Sequence, residues 1–148
     1  MSNKDASTIR NEVINILIKR DFPSNNQLLD EAHLLYQYNC ELESGGHESF
    51  LRWQSQYIEE IGITAYLEKL IGILKKIDAA DYADILEEFG EKMWNLYLAL
   101  ENGEIHEDEF YEIIHEADKR YYGLEDKIYF LIENHFVELH AQVIDIKK

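Results

Sequence analysis

Two carboxylate–histidine pairs in this chain have the spacing of a helical metal site. Glu112-x-x-His115 and Asp30-x-x-His33 each place an acid and an imidazole about one turn apart, as helical di-iron proteins do. Six histidines among thirty acidic side chains give roughly one such pair by chance, so two carry little weight. A bundle site also needs further inward-facing glutamates, and the apolar stripes leave few candidates. His135 and His140 are five apart and do not share a helix face. His135 lies near an apolar stripe and reads as a hydrogen-bonded core histidine. There is no His-Glu-x-x-His, EF-hand, P-loop or Gly-x-Ser-x-Gly pattern. Cys40 is the one cysteine, so it forms no internal disulfide, and no basic neighbour in sequence lowers its pKa. Nothing here requires an enzyme, and no catalytic residue, metal or cofactor is assigned.

The stronger chemical signal is charge. The 148 residues carry 30 acids and 14 bases, a formal net charge of −16. The imbalance is not spread evenly. Residues 77–118 hold fourteen acids and one base, Lys92, a net −13. Asp81, Asp84, Glu88 and Glu91 step by three, four and three, which makes one helical stripe. Asp108, Glu112 and Glu116 step by four and make a second. Neighbours in such a stripe repel, at about 0.2–0.5 kcal/mol per pair. A face built only for solubility usually mixes lysine with glutamate, and these stripes do not. A solvated face remains the plainer explanation, and Glu107, Asp108 and Glu109 also favour the dipole of the helix they start.

Helices must position these acids. The chain has one proline, seven glycines and no alternating strand pattern, so it reads as all-α, one domain over residues 1–148 with six or seven helices. Ile9, Val13, Ile16 and Leu17 mark a first helix that Pro23 stops. Ser24 can cap a second through Leu28, Leu29, Ala32, Leu35 and Tyr36. Ser44-Gly45-Gly46 breaks the chain, and a short third helix carries Phe50, Leu51 and Trp53. Thr64 can cap a fourth through Leu67, Leu70, Ile71 and Leu74. The fifth follows Asp78 and carries Tyr82, Ile85, Leu86, Phe89, Met93, Leu96 and Leu100, with Gly90 as a candidate kink. Asn102-Gly103 ends it. A sixth carries Phe110, Ile113, Ile114, Ala117 and Tyr121. After Gly123 the last carries Leu124, Ile128, Leu131, Ile132, Phe136 and Leu139. The two acidic stripes fall on the fifth and sixth helices, whose axes would lie about 8–10 Å apart if packed together. Spacing alone does not decide whether the stripes share a side.

The Gly-Gly pair allows a sharp turn and a close approach of the following helix to a neighbour. Adjacent aromatics at Phe110-Tyr111 and Tyr121-Tyr122 cannot both face one core, so one of each pair belongs at a surface, a crevice or a dimer interface.

The segment Glu41-Leu42-Glu43-Ser44-Gly45-Gly46-His47-Glu48-Ser49-Phe50-Leu51 resembles a degenerate form of Asn-Gly-Gly-Phe-x-Gln-Tyr-Phe. That is a motif of the DNA-mimic-protein-like family. Ile77 to Leu86 resembles its next helix start. Ala117 to Tyr122, followed by Leu131 to Phe136, resembles its C-terminal signature. The likeness covers about residues 28–140. Ser44 stands for the motif's Asn, His47 for its aromatic, Ser49 for Gln and Phe50 for Tyr. The resemblance implies an all-helical acidic protein, often a dimer, with a relative that occupies the DNA site of a transcription factor. Most members have no established activity.

The expected function is therefore non-enzymatic. An acidic face over residues 78–118 would dock on a basic protein partner. Asp81, Asp84, Glu88, Glu91, Asp108, Glu112 and Glu116 are the expected contacts, acting by charge complementarity. A DNA-binding transcription factor is one such partner, and a nuclease toxin neutralised by an immunity protein is another. A small helical metalloenzyme using Glu112/His115 and Asp30/His33 is the third reading. Direct binding to nucleic acid or to an anionic membrane is excluded by the charge. The N-terminus lacks a targeting pattern and no stretch is a membrane span, so the expected location is the cytoplasm.

Overall fold

The computed structural model describes residues 5–24 and 26–147 of the chain. The six helices are α1 (Ala6–Ile18), α2 (Gln27–Ile61), α3 (Ile63–Lys76), α4 (Ala80–Glu101), α5 (Glu107–Tyr122) and α6 (Lys127–Lys147). No strand occurs among the described residues. The second and third predicted helices are the two halves of α2, so the predicted fifth and sixth are α4 and α5.

Each helix buries one stripe. Val13, Leu35, Leu70, Ile85, Ile114 and Phe136, one from each helix in order, belong to a single buried cluster. α2 touches α1, α3, α5 and α6, while α1 packs chiefly on α6 and α4 lies between α3 and α5. Trp53 departs from the expected stripe: it is 69% exposed, while its neighbours Phe50 and Leu51 are buried.

Local chemistry sets the ends, and several differ from the sequence expectation. Asp5 caps α1 by accepting the Thr8 N–H at 2.8 Å. α1 closes at Ile18, before Pro23. Asn26, not Ser24, caps α2, accepting the Leu29 N–H at 3.0 Å. Ser24 instead donates its N–H and its hydroxyl to Asp30 Oδ1, at 2.8 and 2.7 Å. Thr64 lies inside α3, whose N-cap is Gly62 without a side-chain hydrogen bond. The Thr64 hydroxyl reaches Glu91 Oε1 on α4 at 3.3 Å.

Gly90 stays within α4 and serves close packing, since a Cβ there would lie 2.9 Å from the Leu67 methyl carbons. Gly103 has φ 71° just beyond α4, as a left-handed turn requires. Leu124 belongs to the connection rather than to α6. That connection turns through Glu125 and Asp126, both with positive φ. No helix among the described residues is long and apolar enough to cross a membrane.

Candidate functional site

α4 and α5 carry the acidic stripes. On α4, Tyr82, Ile85, Leu86 and Met93 face the core, and Asp81, Asp84, Glu88 and Glu91 are exposed on the opposite side. On the flank toward α3, Glu87 pairs with Lys75 at 2.7 Å and Glu91 accepts from Thr64. On the flank toward α5, Glu88 pairs with Arg120. The outer face of α4 therefore opens between its two neighbours.

α5 has the same logic. Phe110, Ile114, Ala117 and Tyr121 are buried, and Asp108, Glu112 and Glu116 are exposed. Arg120 continues this series by one more step of four and turns onto α4. Its guanidinium lies 5.5 Å from the Phe89 ring centroid. Glu88, the third residue of the α4 row, thus meets the residue that continues the α5 row.

All seven predicted contact residues are exposed, but they are not equivalent. Asp81 meets Lys127 Nζ at 3.0 Å and Glu88 meets Arg120, so both charges are partly offset. Asp84, Glu91, Asp108, Glu112 and Glu116 have no ion pair among the described residues. Glu101, Glu104, Glu107 and Glu109, exposed around the α4–α5 turn, extend the uncompensated charge. The centre of negative charge therefore shifts from α4 toward α5 and that turn. Lys75, Arg120 and Lys127 were not singled out by sequence reasoning. Only Arg120 left a signal, as the continuation of the Asp108–Glu112–Glu116 series.

The Gly-Gly break is a second built feature. Gly45 and Gly46 leave helical geometry inside α2, with φ +69° at Gly46. The turn brings the α2 backbone against Asp118 of α5, and a Cβ on Gly46 would lie 2.6 Å from Asp118 Oδ2. Asp118 Oδ1 accepts the His47 backbone N–H at 2.8 Å and contacts ring Nδ1 at 2.7 Å. The His47 ring is fully buried, and its Nε2 has no hydrogen-bond partner. The helix N-terminus behind Gly46 thus receives an internal carboxylate.

Three tyrosines add to this join. Tyr111 donates to Glu48 at 2.6 Å, Tyr121 to Glu43 at 3.0 Å, and Tyr122 to the Leu42 carbonyl at 3.0 Å. Tyr121 is buried and Tyr122 half-exposed, so this adjacent pair splits between core and surface as expected.

The metal-spaced pairs do not assemble. Asp30 is engaged by Ser24, and the His33 ring stacks on Phe22 at 4.4 Å. Glu112 and His115 are both exposed on α5. Among the described residues no three histidine, cysteine or acidic side chains form a group that could hold a metal. His135 is half-buried beside Phe136. Cys40 is half-buried, and burial pushes its thiol pKa up.

Compared with known families, the model for DMP19-like protein matches residues 26–145. The chain belongs to the DMP19-like family. No curated protein and no solved structure matches it. The DMP19-like segment begins at Asn26, the cap of α2, and takes in the kink, the Asp118 contact and both acidic rows. α1 lies outside it, yet buries Val13, Ile16 and Leu17.

Proposed function

We propose that the outer face of α4 and α5 docks on the basic DNA-binding surface of a protein, taking the place of DNA. One observation carries the reading. Asp84, Glu91, Asp108, Glu112 and Glu116 are exposed, lack ion pairs among the described residues, and lie on neighbouring helices joined by Glu88 and Arg120. Like charges at helical spacing cost stability. They also build a field that accelerates encounter with a cationic surface and suppresses wrong partners. Membership of the DMP19-like family is compatible with this role. In this role Asp81 and Glu88 contribute less than the other five, because Lys127 and Arg120 already offset them. The face acts without catalysis, and its location would be the cytoplasm.

The test is affinity capture from source lysate at low salt, with the parent chain and with a chain neutralised at those five positions. The expected result is a basic DNA-binding protein held by the parent alone and released both by salt and by competing duplex DNA. A transcription factor would make the protein a regulator, and a nuclease would make it an immunity protein. A partner retained equally by the neutralised chain would sink the proposal.

A further inference from the structure

We propose that Asp118 and His47 are positioning residues for this acidic face: seated in the Gly46 notch, the Asp118 carboxylate fixes the rotation of α5 about its axis. The inference rests on the docking reading of α4 and α5.

Helical geometry turns about 100° per residue. On that wheel, Phe110, Ile114, Ala117 and Tyr121 form the core side of α5. Tyr111, Asp118 and Tyr122 form the adjacent flank, and all three bond to α2 on either side of its kink. Asp108, Glu112 and Glu116 centre about 100° further round. Arg120 closes the circle on the α4 side. The direction of the acidic row is thus set by what holds the flank before it.

Asp118 is the most constrained member of that flank. It makes two bonds to one residue, 71 positions away in sequence. The His47 N–H it accepts belongs to the first turn after the break, where helix donors lack intrahelical partners. Its fit depends on a missing Cβ at a backbone conformation that favours glycine. The buried His47 ring has no partner at Nε2, so its Nδ1 contact with Asp118 is the hydrogen bond that holds the ring. Rotating α5 breaks that bond, so the join resists rotation.

Gly46→Ala tests this without altering any charge, and Asp118→Ala removes the carboxylate. In a Cys40→Ser background, spin labels at Lys69→Cys on α3 and Lys119→Cys on α5 span two helix spacings, about 16–20 Å. The expected result is one narrow distance in the parent. In both variants it shifts and broadens while helicity is retained, and Asp118→Asn, which can still accept from His47, restores it. Binding of a labelled octa-arginine peptide should weaken with the shift.

An unchanged distance in folded Gly46→Ala and Asp118→Ala overturns the positioning role. Nitrogen NMR of the parent chain applies even if those variants fail to fold. The His47 ring must carry its proton on Nδ1, bonded to Asp118, and a ring free of that bond overturns the proposal. If neutralising Asp108, Glu112 and Glu116 leaves octa-arginine binding unchanged, the docking reading fails instead, whatever the labels report.

Discussion

Arg120 of α5 pairs with Glu88 of α4 and lays its guanidinium over the Phe89 ring. It is a cation at the end of a row of acids, and it ties the two acidic helices together where their charges would otherwise repel. Both side chains of the pair are about half exposed, so the ion pair contributes at most about 1 kcal/mol. The ring contact adds a similar amount. Arg120→Gln loses both and should therefore lower unfolding free energy by about 1–2 kcal/mol in urea titrations. It should also steepen the salt dependence of octa-arginine binding, because Glu88 is released. A shallower salt dependence would mean that Arg120 itself contacts the partner.

Two buried tyrosines make opposite predictions. The Tyr82 hydroxyl accepts the N–H of Ile128 at 2.9 Å, near the start of α6. Tyr82→Phe leaves that buried N–H without a partner and should cost about 1–3 kcal/mol. The Tyr38 hydroxyl is equally buried and has no partner. Tyr38→Phe removes an unsatisfied polar atom from the core and should be neutral or stabilising. Thermal melts of the two variants check the contrast, and a large loss from Tyr38→Phe would point to a bound water at its hydroxyl.

These contrasts mark what a sequence conveys. The acidic rows and the Gly-Gly break were legible because period and backbone freedom are local properties. The apolar stripes of the six helices follow from the same periodicity. Caps were less legible: Ser24 and Asn26 both offer cap chemistry, and only the engagement of Ser24 with Asp30 separates them. Gly90 read as a kink because its real neighbour, Leu67, comes from another helix. His47 and Asp118 meet across 71 residues, and nothing near either one announces the other. The same holds for Lys127 and Asp81, whose pairing depends on where the turn after α5 delivers α6.

Stability should fall on mild acidification. His33 and His135 are half-buried, and desolvation lowers both pKa values from the ordinary 6.5, with Asp30 opposing the shift at His33. A histidine whose pKa is lower when folded takes up its proton more readily when unfolded. Its contribution is therefore fully present above pH 6.5, the unfolded value, and is lost as pH drops through the folded one. The melting temperature should decline from pH 7 toward pH 5, and His33→Gln with His135→Gln should flatten that decline. An unchanged slope in the double variant would assign it to other groups.

The acidic row of α5 permits a test that separates selection for binding from simple solvation. Glu112 stands between Asp108 and Glu116 at steps of four, so it repels both. Glu112→Gln relieves two like-charge pairs and should raise stability by roughly 0.4–1 kcal/mol at low salt. Added salt screens the same repulsion, so the melting temperature of the parent should rise with ionic strength and that of the variant should rise less. The same substitution should weaken octa-arginine binding. A row kept only for solubility would be better served by lysine at this position, which gains stability and keeps the surface charged. Higher stability with weaker binding would mean that the chain sacrifices stability for its acidic face. Higher stability with unchanged binding would leave the row without a docking role.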